Sequence, residues 1–288
     1  MTTPSLRGVN EAESPIRRIR CTVAYDGSGY AGSQIQPDLP TIQGEIEAVL
    51  SRLFDVPMRI AASGRTDAGV HATAQEIGFE APVRWDPGRI RQAMNALLPD
   101  SIRVHRARLA EEGFHPRYSA SGRRYEYFIG DREESLSPLR GGRIWQFGRP
   151  LAIAALRRAA EPLPGLGDFA GLSRSGQPER GTHCTIERAT WLRTPAGDLR
   201  LEIVADRFLH HMVRYLVSVM VEIAAGARVE DELRTLLGGG SGVPPRPAPA
   251  EGLYLTGVRY SDGWNRRPGV PGLWPIPAGP GPAGSPAD

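Results

Sequence analysis

Apolar and polar residues alternate from Arg18 to Tyr25, a period of two that predicts a strand. From Thr41 to Phe54 the apolar positions recur every three or four residues, the spacing of one helix face. Val56 to Ala62 and Gln75 to Phe79 read as two further strands. Asp86-Pro87 then supplies a helix cap followed by proline at the first helical position, opening a helix through Leu98, and Ile102 to Leu109 closes the series as a strand. The order is β-α-β-β-α-β.

The second half repeats it. A strand is expected from Arg124 to Ile129, a helix near Leu151 to Ala160, and a hairpin with arms Cys184 to Leu192 and Leu199 to Ala205, turned at Thr194 to Asp198. A long helix from Leu209 to Ala225, a shorter one near Asp231 to Leu237 and a strand from Leu253 to Tyr260 complete it. The expected class is α+β, with two ferredoxin-like (split β-α-β) halves, 17–111 and 112–260, in pseudo-two-fold arrangement about a cleft. Residues 1–16 and 261–288 lack apolar periodicity, are rich in Pro, Gly and Ser, and read as disordered tails; Gly238 to Pro249 reads as a mobile surface loop.

Composition narrows the chemistry. All 35 basic residues among the 288 are arginine, so neither a Walker-type phosphate loop nor a pyridoxal Schiff base can be built, each requiring a lysine. Arginine forks onto phosphates and stacks on bases, and an isoelectric point near 9.1 suits a polyanionic partner, although a net charge of +3 is modest. Cys21 and Cys184 are too few and too far apart for a disulfide framework or thiolate cluster, and buried free thiols are expected. No run of about 18 apolar residues and no secretory leader is present, so a cytoplasmic protein without a membrane span is expected.

Three motifs compete for function. Gly27-Ser28-Gly29-Tyr30-Ala31-Gly32 matches a dinucleotide fingerprint after a strand, but Pro37 and Pro40 postpone any helix to about Thr41, so no helix N-terminus can face a pyrophosphate. His210 and His211, expected at the start of the long helix, would point about 100° apart there and could not share an ion, so no metal site is expected. The third motif is Gly64-Arg65-Thr66-Asp67-Ala68-Gly69-Val70-His71, between two strands. An Asp before a small residue and Gly is most often a turn former; here Arg65, two residues earlier, could pair with Asp67 and hold it ionised for attack at a sugar carbon.

The loop Gly64 to His71 resembles the signature of TruA-type tRNA pseudouridine synthases. Tyr25-Asp26-Gly27, Phe114-His115-Pro116-Arg117, Arg123-Arg124-Tyr125-Glu126-Tyr127, Asp168-Phe169, Phe208 to Arg214 and Glu251 to Leu255 follow in that family's order, covering about residues 19 to 260. Ser33 before Gln34, where the family usually has an aromatic, and Leu172, where it usually has Phe, depart from the pattern.

The resemblance implies an isomerase that breaks the C1′–N1 bond of uridine, turns the uracil and rejoins it through C5, without cofactor or metal. Asp67 would be catalytic, acting on sugar or base. Tyr125 would stack on uracil, Arg65 would hold the flipped nucleotide, and Leu253 would form an apolar wall. The implied partner is the anticodon stem-loop of tRNA, at positions 38 to 40, met by a homodimer. Arg117, Arg123, Arg124, Arg174, Arg180, His210 and Arg214 are candidate RNA contacts. The rival readings are a catalytically silent RNA-binding protein or tRNA folding helper on the same scaffold, and a nucleotide-dependent oxidoreductase built on Gly27 to Gly32.

Overall fold

The computed structural model describes residues 15–174, 181–238 and 246–265. The first half holds β1 (Ile16–Tyr25), α1 (Ile42–Phe54), β2 (Ala61–Ala62), β3 (His71–Pro82), α2 (Pro87–Leu97) and β4 (Ile102–Leu109). The second holds β5 (Gly122–Gly130), β6 (Trp145–Gln146), α3 (Ile153–Ala160), β7 (Gly165–Asp168), β8 (His183–Arg193), β9 (Leu199–Ala205), α4 (Met212–Ala224), α5 (Glu230–Leu237), β10 (Leu253–Tyr260) and β11 (Gly263–Trp264). All strands join one mixed sheet in the order β4-β1-β3-β10-β5-β9-β8-β7, with β2 on β3, β6 on β5 and β11 on β10.

The halves meet where β10 runs parallel to β3, Tyr254 opposite His71 and Leu255 opposite Ala72. A two-fold axis normal to the sheet would set the junction strands antiparallel, so strand order and direction repeat in tandem along the sheet.

Local chemistry explains the elements. Thr41 caps α1 by accepting from the Gly44 amide, and Asp86 caps α2 by accepting from Arg89, with Pro87 needing no amide partner. The predicted strand over Val56 to Ala62 contracts to Ala61–Ala62, because side chains of α1 take the backbone amides a ladder would use. Met58 N donates to Ser51 Oγ at 2.9 Å and Ile60 N to Glu47 Oε1 at 2.9 Å. β3 is longer than expected because it is central, and both of its faces are covered along most of its length.

One face of the sheet carries the core. Ile19, Cys21 and Val23 of β1 and Ile77 of β3 join Ile46 and Leu50 of α1 and Met94 of α2; farther along, Trp191, Leu201 and Ile203 meet Leu156 of α3 and Leu216 and Met220 of α4. Cys21 and Cys184 are buried free thiols, as expected.

The other face buries charge. Arg20 Nε lies 3.3 Å from Glu76, Arg200 lies 3.7 Å from Glu126, and Arg124 lies 3.8 Å from Glu202. Residues 261–265, expected to open the disordered tail, are ordered against this face. Asn265 Oδ1 accepts from Val258 N at 2.7 Å while its amide donates to Glu76, and Trp264 lies 5.3 Å from the Arg124 guanidinium. Residues 1–14, 239–245 and 266–288, which hold most of the expected tails and surface loop, lie outside the described residues.

Candidate active site

Asp67 sits in the loop between β2 and β3, on a bed made by the glycine loop after β1. A side chain at Gly27 would meet the Val70 carbonyl at 2.1 Å, and one at Gly32, whose φ is +116°, would meet Thr66 O at 3.1 Å. Glycine is needed at both positions because two backbones touch there. That contact gives the fingerprint-like spacing its structural role, and the first helix after it begins only at Ile42.

Side chains complete the cradle. Thr66 N donates to Ser33 Oγ at 2.8 Å, and the Thr66 hydroxyl lies 2.8 Å from that of Tyr25. Gln75 donates to Gly64 O at 2.9 Å and accepts from Ser63 at 2.6 Å. Burial pushes the Tyr25 hydroxyl up to about 12, which keeps it protonated and able to donate. Ser33, the departure from the expected aromatic, thus serves the loop as a two-way hydrogen-bond partner, its amide donating to Thr66 O at 3.0 Å.

The partners of Asp67 come from the other half. Arg214 on α4 donates to Oδ2 at 2.9 Å, His211 Nε2 lies 3.2 Å from the same oxygen, and His210 Nε2 lies 3.5 Å from Oδ1. Arg214 is itself held by its Nε, which donates to Ala248 O at 2.7 Å. The expected Arg65–Asp67 pair is not among these contacts. Thr66 between them is pinned inward, which leaves Arg65 in solvent and turns Asp67 toward α4.

The two histidines also correct an expectation. They precede the helix, which begins at Met212, and His211 adopts a left-handed conformation with φ 63°. That turn abolishes the 100° separation and lets both rings face one carboxylate, their centroids 4.0 Å apart. Asp67, His210 and His211 therefore offer three potential metal-ligating atoms within 4.8 Å of one another. Arg214 already occupies Oδ2 with a positive charge, which opposes a divalent cation at the same place. Burial, followed by the charges of His210, Arg214 and Arg174, outweighs the pull of Asp67 and keeps His211 below the usual imidazole range, so it favours the neutral form as a hydrogen-bond donor.

Tyr125 on β5 is buried with its ring edge-on to Phe208 at 5.1 Å. Burial raises its hydroxyl well above the ordinary tyrosine range, and the charges of Tyr25 and Asp67 add to the shift, so the phenol stays protonated. Leu253 opens β10 opposite Tyr127 and is buried.

Two of the expected RNA contacts are turned inward. Arg124 is 4 % exposed on the charged face of the sheet, and Arg123 spends its guanidinium on the carbonyls of Ser63, Arg117, Ala120 and Asp206. β5 is a central strand, and in a lysine-free chain arginine serves the interior as well as the surface. Arg117, Arg174 and His210 are exposed or half-exposed, Arg214 is mostly buried against Asp67, and Arg180 lies outside the described residues.

A partly exposed carboxylate, held by an arginine and faced by two imidazoles, is thus set on a mixed α+β sheet. The family model described as tRNA pseudouridine synthase matches residues 22–119 and 159–261. The tRNA pseudouridine synthase A of Chlorobaculum tepidum is 40% identical over 246 residues, covering 85% of this chain and 98% of the relative. Those of Caulobacter vibrioides and Bacillus subtilis are 38% and 35% identical, over 85% of this chain and 99% and 100% of theirs. The chain belongs to the tRNA pseudouridine synthase family and is an isomerase that converts uridine to pseudouridine. Among solved structures, the archaeal box H/ACA sRNP Nop10-Cbf5 complex aligns over 70% of this chain at 10% identity with a TM-score of 0.30, too low to bear on the fold.

Proposed function

We propose that this protein isomerises uridine in the anticodon stem-loop of tRNA, at positions 38 to 40, with Asp67 as the catalytic carboxylate and without cofactor. The observation that carries this reading is the asymmetry at Asp67. Oδ2 is tied by Arg214 and His211, whereas Oδ1 faces only the half-exposed His210 and is the oxygen a ribose or uracil can reach. The C1′–N1 bond breaks, C1′ rejoins at C5, and the proton leaving C5 is matched by one gained at N1, so the isomerisation balances within the nucleotide.

Tyr125 supplies a ring for the uracil, Leu253 an apolar wall, and the solvent-facing Arg65 a cation beside the flipped nucleotide. Arg117, Arg174 and His210 extend the basic rim. The strand orders β4-β1-β3-β2 and β10-β5-β9-β8 are the same 4-1-3-2 arrangement. They support two ferredoxin-like halves, 17–111 and 112–260, with the cleft where Asp67 meets Arg214. No helix among the described residues is long and apolar enough to cross a membrane, which suits a cytoplasmic partner such as tRNA. A homodimer, so that one tRNA touches both subunits, completes the reading.

The test is incubation with an unmodified tRNA transcript, mapped by carbodiimide adducts and primer-extension stops, with Asp67→Asn in parallel. New stops in the anticodon arm are expected with the native protein, and turnover is expected to fall at least about 10³-fold in the variant while RNA binding persists. Undiminished activity in Asp67→Asn would remove the carboxylate from the mechanism. Stops confined to another arm would displace the substrate assignment.

A further inference from the structure

The segment from β4 to β5 presents a side chain that nothing above uses. Tyr118 is 69 % exposed, the one aromatic residue among the described residues left so largely in water. Its ring stands against that of His115 with centroids 4.5 Å apart, and the Arg117 guanidinium lies 5.9 Å from it. An exposed ring of this kind is usually a bystander unless it is held rigid, close to the chemistry and beside positive charge. Tyr118 stands on a fixed turn, beside positive charge, and its turn is linked by hydrogen bonds to the segments that lead to Asp67 and to the histidine pair.

Rigidity comes from a closed set of hydrogen bonds. His115 Nδ1 accepts from the amides of Arg117 at 3.1 Å and Tyr118 at 3.3 Å, the His115 amide donates to Ser119 Oγ at 3.0 Å, and the Ser119 amide returns to His115 O at 3.0 Å. The Tyr260 hydroxyl donates to Pro116 O at 2.7 Å and anchors the turn to β10. Burial, with the charges of Arg18 and Arg117, keeps the His115 imidazole below its usual range, so Nδ1 stays an acceptor at neutral pH. The backbone that carries the ring is therefore fixed, and the ring itself rests on His115.

Proximity comes from Arg123. One guanidinium donates to Arg117 O at 3.0 Å, Ala120 O at 3.3 Å, Ser63 O at 3.1 Å and Asp206 O at 3.0 Å. Ser63 stands four residues before Asp67, and Asp206 four before His210. The Tyr118 turn, the approach to the carboxylate loop and the approach to the histidine pair thus share one hub. Arg117, exposed beside the ring, supplies the charge that a phosphate would meet.

We propose that Tyr118 is a stacking platform for an unpaired RNA base next to the target uridine, with Arg117 taking the adjoining phosphate. This rests on the RNA substrate proposed above. A stacked base is recognised by its π-face and not by its edges, so the platform holds the strand without demanding a sequence. It acts alongside Arg65 in keeping the neighbouring nucleotide from re-entering the stack after the uridine has left it.

The experiment is tRNA binding and turnover by the full chain and by Tyr118→Ala, Tyr118→Phe and Arg117→Ala, over a range of salt concentrations. Tyr118→Ala should bind about 5- to 150-fold more weakly, while Tyr118→Phe, which keeps the ring, should bind within about 2-fold of the native protein. The salt dependence should be unchanged in Tyr118→Ala, whereas Arg117→Ala should lower the log-log slope by about 1. Because Tyr118 is exposed, thermal melts should coincide and show that weaker binding is not misfolding. Native protein that binds and modifies tRNA beside a Tyr118→Ala variant of equal affinity would overturn the platform and leave the substrate reading standing. A native protein that neither binds nor modifies tRNA would overturn both.

Discussion

The two faces of the sheet use the same pair of ions for opposite ends. On the charged face, Glu76 meets Arg20, Asn265 and the rest of its shell while 1 % exposed, and neither of its oxygens is left toward water. On the helix-covered side, Asp67 meets Arg214 and two imidazoles yet keeps 21 % of its side chain exposed, with Oδ1 3.5 Å from a half-exposed ring. An arginine–carboxylate pair is therefore no mark of a site in itself. The difference lies in whether one oxygen remains reachable, and in where the partners come from: neighbouring strands in the first case, the opposite half of the chain in the second.

Substitutions should separate the two uses. Asp67→Asn, as set out above, carries the largest loss of turnover. Next, Arg214→Ala should lower the turnover rate by about 10²-fold, since it leaves Oδ2 to His211 alone and lets the carboxylate drift from its productive position. Single-turnover assays at saturating RNA would read this, and a variant as fast as the native protein would show that the ion pair does not position Asp67.

Glu76→Ala should do the reverse. It leaves Arg20 with Asp262, also 3.3 Å away, as its remaining counter-charge and should cost about 1–3 kcal/mol of stability, read by urea unfolding, while the activity of the remaining folded protein stays near native. A loss of specific activity without a loss of stability would erase the contrast between the faces. A smaller effect falls on Glu126, which burial raises to about 7 against the opposing pull of Arg200 and Arg124. With a folded value above the ordinary 4.5, its contribution to stability is full below about pH 4.5 and is lost as pH rises through about 7. Melting temperatures from pH 5 to pH 8 should fall less steeply in Glu126→Gln than in the native protein.

The sequence already showed most of the scaffold. Ile102–Leu109 and Leu253–Tyr260 have the ends that alternation predicts, and the Asp86-Pro87 cap opens α2 where expected. Asp67 was picked out by its loop and by resemblance, and it lies against Arg214 and two imidazoles. What stayed hidden was long-range. Nothing near Asp67 in sequence names Arg214, 147 residues away, and the local arginine that proximity favoured faces solvent instead. The convergence of His210 and His211 depends on one backbone angle, which periodicity smoothed into a helix. β7 was missed because Gly165 to Asp168 is a glycine-bearing strand with an exposed leucine and little alternation to detect. Arg124 was misplaced because charge reads as surface until a second covered face is known.

The distance along the chain between Asp67 and its partners has a consequence for synthesis. A ribosome makes the carboxylate loop early, but the residues that orient it belong to a helix that emerges some 150 positions later. A chain that ends before α4 lacks the residues that orient this aspartate. If Asp67 acts as proposed, chemical competence awaits the synthesis of α4.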